Sequence, residues 1–301
     1  MSDKELTVGE AGEEALVSKI VETISGHERV IVGPGDDCAV IELAHDSWQL
    51  LKTDCLVEGI HFSPGTAPEL VGAKAMKRVI SDIAAMGGRP REAVITLALN
   101  EERSVEEVLA WYAGMGAIAE QFDCAIVGGE TTKLPGEGAL ISLAMTGEVS
   151  PDRCVLRSGA KRHDLILVTG CLGDSLASGH HLTFTPRLAE ATWLVENFLP
   201  SAMMDLSDGL GSDLPRLAKA SGEGYTVDLE RIPCRDNATT AQAVSDGEDY
   251  ELLFTIAPEK TGYLMADWEK VFPAVPLTMI GEITEETPVE LGRGWEHYQS
   301  P

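Results

Sequence analysis

The run "MMDLSDGLGSDL" spans Met203 to Leu214 and sets the reading of the chain. An apolar stretch, Ala202–Asp205, ends in an acid and reads as a buried strand. Two glycines follow, and Leu210–Ser221 then repeats its leucines at helical spacing. The unit is strand, tight turn, helix. Three carboxylates crowd into it (Asp205, Asp208 and Asp213), and no basic residue appears before Arg216. Asp213 reads as a first-turn acid on the helix dipole. Asp208, beside Gly209, suits a helix N-cap when taken alone.

Four further stretches share this design of an apolar element followed by acids beside Gly or Thr. They are "GPGDDCAV" (33–40), "KTDCLVEGIHF" (52–62), "VISDIAAMGG" (79–88) and "IVGGETT" (126–132). Each has a plain local explanation: Gly-Asp-Asp suits a turn, and Asp82 is placed to pair with Arg78 one helical turn back. Taken together they describe strand and helix ends carrying acids, where α/β proteins place their chemistry. Convergence of Asp37, Asp54, Asp82, Glu130, Asp205 and Asp208 would set neighbours about 4 Å apart, repelling by roughly 4 kcal/mol per pair near a surface. Cations must then hold them. An all-oxygen ligand set of this size points to Mg²⁺, which usually arrives with phosphates. Neither GxxxxGK[ST] nor a kinase-type Gly-rich loop is present.

Composition narrows the classes. The chain has 301 residues, a net charge of -26 and 44% hydrophobic residues. Such an acidic balance argues against nucleic acid as a partner. It also means that anionic substrates need cations to approach. No window reaches 18 uninterrupted apolar residues, so no membrane span is expected. The start, "MSDKELTVGEAGEEAL", has no apolar signal core. Six scattered cysteines without a CxxC read as reduced thiols, and a cytoplasmic protein is expected.

Along the chain, helices are expected over Thr7–Ile24, Pro68–Gly88, Ser104–Gln121, Asp174–Ser178, Pro186–Phe198, Leu210–Ser221, near Thr239–Val244 and over Pro258–Val271. Strands are expected over Arg29–Val32, Cys38–Leu43, Trp48–Thr53, Ala93–Leu99, Ala125–Val127, Ala139–Gly147, Leu165–Thr169, Ala202–Asp205, Gly224–Leu229, Tyr250–Ile256 and Leu277–Ile283. The polar segment 150–164 separates two halves, 1–149 and 150–301. The element order is mixed, so the class is α+β rather than a doubly wound parallel sheet.

The ordered series "GPGDDCAV…KTDCLVEGIHF…AKAMKRVISDIAAMGGRP…IVGGETT…LRSGAKRHDLILVTGCLGDSLA…MMDLSDGLGSDL…SDGEDYELLF" resembles the thiamine-monophosphate kinases. These are relatives of aminoimidazole ribotide synthetase and selenophosphate synthetase. The resemblance runs from about Gly9 to the end. It implies a two-domain PurM-like fold: an N-terminal mixed-sheet, ATP- and metal-binding domain that forms a barrel across a homodimer axis, and a C-terminal α/β-layer domain. It implies ATP-dependent phosphorylation of thiamine monophosphate by direct in-line transfer with several Mg²⁺ ions. The attacking phosphate oxygen is already ionised, so no acid–base residue is implied. By the same resemblance Asp37, Thr53, Asp54, Asp82, Glu130, Asp205 and Asp208 correspond to metal ligands. Gly129, Glu130, Arg157 and Ser207 correspond to ATP contacts, and His61, Glu248 and Trp295 to thiamine-phosphate contacts. ATP and thiamine monophosphate are then the partners, with neither nucleic acid nor membrane.

The chain departs from this pattern in four places. Glu130 stands where Asp is usual, and Lys52 where Ser or Thr is usual. Lys52 shares a strand face with Asp54, so its ammonium is expected near Asp54, in partial replacement of a metal ion. The stretch before "MMDLSDGL" is short, and Asp246 sits close to Glu248. The alternatives are another ATP-dependent enzyme of the same group and an idle nucleotide- or metal-binding homologue.

Overall fold

A computed structural model describes residues 7–44, 46–285 and 291–296. Two short surface helices begin it, α1 (Val8–Ala11) and α2 (Glu13–Thr23). The expected single helix is broken at Gly12, whose φ of 76° lies outside helical space.

Six strands form the first sheet: β1 (Val30–Val32), β2 (Ala39–Ala44), β3 (Ser47–Val57), β4 (Arg89–Leu99), β5 (Ala125–Lys133) and β6 (Ala139–Val149). Their order is β1-β2-β3-β6-β4-β5. Only β4 and β5 pair parallel; the other pairings are antiparallel. Helices α3 (Pro68–Ala85) and α4 (Val105–Gln121) pack on this sheet. Pro68 opens α3, and the Ser104 side chain caps α4 by accepting from the Glu107 N–H. Strand β5 runs well past Val127, so Gly129 and Glu130 stand in a strand rather than a loop.

The second sheet contains β7 (Leu165–Thr169), β8 (Ala202–Asp205), β9 (Gly224–Val227), β10 (Leu252–Ile256) and β11 (Leu277–Thr284), in the order β8-β10-β7-β11-β9 and wholly antiparallel. Helices α5 (His180–Thr183), α6 (Leu188–Asn197), α7 (Leu210–Ser221), α8 (Thr240–Ser245) and α9 (Pro258–Val271) surround it. The expected helix over Asp174–Ser178 is a turn instead, with Asp174 at a left-handed φ of 56°. Alternate residues enter different cores. Ile166, Val168 and Leu253 join α7 and α8 on one face, while Leu167, Leu252 and Phe254 join α6 and α9 on the other. A sheet buried on both faces explains why β10 reads as an unbroken apolar run.

Helix α3 links the two sheets. Val79, Ile80 and Ile83 enter the core of the first sheet, and Ala84 and Ala85 the core shared with α6 and α9. Its approach to α4 is close enough to require glycine. A Cβ on Gly72 would lie 1.9 Å from the Trp111 carbonyl oxygen, and one on Gly114 2.0 Å from that of Glu69. Gly114→Ala should therefore push the helices apart and lower stability by about 3 kcal/mol. Urea unfolding of the variant against the parent chain measures this.

Candidate active site

Three carboxylates from three separate elements meet at the seam. Asp37 leads out of the 33–37 turn into β2, Asp82 lies on α3, and Asp205 ends β8. One oxygen of each lies within 4.8 Å of the others, and all three residues are buried. The sequence spacing between them is long: Asp205 closes the apolar run of β8, Asp82 follows an apolar turn of α3, and Asp37 ends a glycine-rich turn.

The chain supplies counter-charges. The Arg157 Nη2 donates to Asp37 Oδ1 at 2.5 Å and its Nε to the same oxygen at 3.1 Å. The Ser81 hydroxyl donates to Asp205 Oδ2 at 2.6 Å. Lys52 Nζ donates to Asp82 Oδ1 at 2.5 Å. Lys52 thus lies close enough to Asp54 to feel its charge, as expected, but its hydrogen bond goes to Asp82. Asp54 pairs at 3.0 Å with Arg78, the residue expected to pair with Asp82. The exchange follows from geometry: residues 52 and 54 share one strand face under α3, and residues 78 and 82 share one face of α3. Burial opposes the charge of Lys52, but Asp82 and then Asp54 outweigh it, so its proton is held more tightly than usual. Burial and then Asp37 raise Asp205 to about 7. Burial and then Asp37 raise Asp36 to about 6, although its carboxylate accepts the Asp37 and Arg157 backbone N–H groups. Asp37 Oδ2 is buried with no hydrogen-bond partner.

The loop from Asp205 to Asp208 carries the site into an open cleft of about 460 Å³. His61, Ser207, Asp208, Glu248, Tyr250 and Trp295 are among its lining residues, so the three expected substrate contacts do converge. Lys74, fully buried, fastens the cleft from below: its Nζ donates to Glu248 Oε2 at 2.6 Å and to the His61 carbonyl at 2.7 Å. Sequence reasoning had given Lys74 no role, although its i, i+4, i+8 spacing to Arg78 and Asp82 marks one helix face. Glu248 and Tyr250 hold left-handed φ values of 54° and 53°, a strained pair. Backbone bonds from Glu248 N to Ser207 O (2.7 Å) and from Tyr250 N to Leu206 O (2.8 Å) pin this turn to the acidic loop. Asp249 braces it from behind, accepting from Ser175 Oγ at 2.6 Å and Arg235 Nη1 at 3.0 Å. Asp246 lines the cleft as well and accepts the Asp174 N–H at 2.9 Å.

Asp213 does more than meet the helix dipole. It is buried, accepts the Asp208 N–H at 3.0 Å and pairs with Arg216 at 2.9 Å. Arg216 also binds Asp208. The Trp295 backbone N–H donates to the Asp208 carbonyl at 2.9 Å, which ties the segment carrying the indole to the same loop.

Not every expected residue joins. Thr53 is exposed and points away from Lys52 and Asp54. Gly129 and Glu130 are exposed on β5, an edge strand three positions from β3, about 14 Å away across the sheet.

Residues 35–149 match the family described as AIR synthase related protein, N-terminal domain, and residues 155–292 match its C-terminal domain. A thiamine-monophosphate kinase of Rhodopirellula baltica is 36% identical, with 86% of this chain and 85% of the relative covered. That of Salmonella typhimurium is 33% identical, with 96% and 99% covered. The chain belongs to the thiamine-monophosphate kinase family. The solved structure of AaThiL complexed with AMPPCP and TMP superposes with a TM-score of 0.84 at 31% identity, covering 97% of this chain and 99% of that one. A HypE–HypF complex, 17% identical with a TM-score of 0.72 and 90% and 94% coverage, shares the fold. Among the described residues of this family member, no helix is long and apolar enough to cross a membrane.

The raised carboxyls of this kinase-family site give a pH signature. Asp205, ordinarily near 3.8, holds its proton up to about 7 in the folded chain. The folded state therefore binds that proton more tightly than the unfolded state. The resulting stability is present below about pH 4 and is lost as pH rises to about 7, by roughly 4 kcal/mol. In EDTA, Asp205→Asn should gain stability relative to the parent chain across that window. Urea unfolding at both ends of the window measures the difference.

Proposed function

We propose that the chain transfers the γ-phosphoryl group of ATP to the phosphate of thiamine monophosphate, giving ADP and thiamine diphosphate. The observation that carries this is the joining of two features by the Asp205–Asp208 loop: a buried all-oxygen triad and a cleft in which His61, Glu248 and Trp295 converge. The relatives at 33–36% identity bear the corresponding name, and AaThiL is solved with an ATP analogue and TMP.

The triad suits Mg²⁺. Its donors are carboxylate oxygens, as a hard ion prefers, and Asp37 Oδ2 is buried without a partner. Asp37, Asp82 and Asp205 would hold the metal, with Asp54 and Asp208 flanking. Bound Mg²⁺ supplies neutralisation of phosphate charge. Arg157, fixed on Asp37, and Ser207, on the cleft wall, meet the nucleotide phosphates. The Trp295 indole offers a flat face to the thiamine rings, while Glu248, oriented by Lys74, faces their positive charge. The acceptor oxygen is already ionised at neutral pH, so positioning and charge neutralisation suffice.

A homodimer fits the first sheet. Its open face exposes Leu51, Val94 and Val127, apolar residues that a second copy would cover. Thr53, Gly129 and Glu130 lie on surfaces that such a partner would approach, and their proposed ligand roles belong to that dimer. The division into 1–149 and 150–301 follows the two sheets; the first half supplies Asp37, Asp82 and His61, and the second Arg157, Asp205, Ser207, Glu248 and Trp295. Six free cysteines suit a reducing cytoplasm.

Incubation with ATP, Mg²⁺ and thiamine monophosphate should give one thiamine diphosphate per ADP. ADP formed only with a different acceptor would overturn the substrate assignment. Asp37→Asn should lower kcat by at least roughly 10²-fold, as loss of an electrostatic anchor does. Trp295→Ala should instead raise KM for thiamine monophosphate about tenfold with a smaller effect on the ATP KM. Steady-state kinetics with each substrate varied separates the two outcomes.

A further inference from the structure

Four of the site's carboxylates are met by a cation of the chain itself: Asp37 by Arg157, Asp54 by Arg78, Asp82 by Lys52 and Asp208 by Arg216. Three of these cations are guanidiniums on helices or loops. Lys52 differs because its stem rises from β3, which is paired on both sides, by β2 and β6. Its side chain is 25% exposed, and its ammonium lies 2.5 Å from Oδ1 of Asp82, one of the three triad acids. An ammonium hydrogen-bonded at that distance and a magnesium ion coordinated at about 2.1 Å compete for the same space beside one oxygen.

Charge points the same way. With all three carboxylates ionised, Lys52 and Arg157 leave one net negative charge in the triad, and Asp37 Oδ2 is a buried oxygen without a hydrogen-bond partner. Without Lys52 the triad would carry two negative charges, and the Asp82 oxygen would be freed beside the other two acids.

We propose that Lys52 is a resident cation of this site, standing against Asp82 in place of a divalent ion, so that the chain binds one metal ion fewer than its carboxylates could otherwise hold. Asp37, Asp205 and the second oxygen of Asp82 would then hold the remaining metal. The inference rests on the metal-site reading above. It gives Lys52 a positioning role that touches the acid rather than the reacting phosphates.

The test counts bound Mn²⁺ with saturating AMPPCP, using the paramagnetic signal of free Mn²⁺, for the parent chain, Lys52→Met and Lys52→Arg. One additional Mn²⁺ per chain is expected in Lys52→Met and none in Lys52→Arg. The rise in Tm on adding Mn²⁺ should also be larger for Lys52→Met, because its empty carboxylates repel until an ion arrives. An unchanged count in Lys52→Met overturns the proposal. So does a Lys52→Met chain that stays unfolded even in Mn²⁺, since an ion could then not replace the ammonium. The count needs no turnover: parent chain that binds Mn²⁺ yet makes no thiamine diphosphate refutes the substrate reading and leaves the Lys52 result standing.

Discussion

Asp37, Asp82 and Asp205 bring three carboxylates within 4.8 Å of one another inside the protein, and much of the structure is arranged around their mutual repulsion. Buried like charges at such distances cannot all remain ionised without compensation. The chain answers with cations from β3 and from the segment between the sheets, with a serine hydroxyl from α3, and with a raised proton affinity at Asp205. What remains uncompensated is one buried oxygen of Asp37. In the proposed function, a cation bound with its phosphates would relieve that repulsion.

Helix α3 makes the arrangement possible. It lies between the two sheets and offers different residues to each: Ile80 and Ile83 to the core of the first sheet, Ala84 and Ala85 to the core shared with α6 and α9, and Lys74, Arg78, Ser81 and Asp82 to the seam. Its polar face is continuous because Lys74, Arg78 and Asp82 repeat every four residues. One helix therefore couples the acid triad to the neighbouring cleft. A displacement of α3 would move Asp82 and, through Lys74, Glu248 as well. The glycine contacts with α4 fix its position on the far side.

Several features were legible in the sequence because they depend on local spacing. The strand–turn–helix unit at 203–214 follows from where its apolar residues stop and restart, and β8 and α7 have the expected bounds. The convergence of His61, Glu248 and Trp295 followed from the ordered motifs and their resemblance to the kinases. Other features were not legible. Asp213 was read as a dipole acid, but burial makes it the clamp that holds Arg216 and the Asp208 backbone. Gly129 and Glu130 lay beyond the expected strand Ala125–Val127, yet parallel pairing with β4 extends β5 through them.

The sequence by itself determined the α+β class, the positions of most elements and the set of acids from which the site is drawn, because periodicity and glycine placement act within a few residues. Only the tertiary structure decided which cation meets which acid. Lys52 reaches Asp82, and Arg78 reaches Asp54, because β3 and α3 lie against each other at one fixed register. Partner choice between charges depends on distances of a few ångströms between elements that are remote in the chain, and no local rule of sequence specifies those distances.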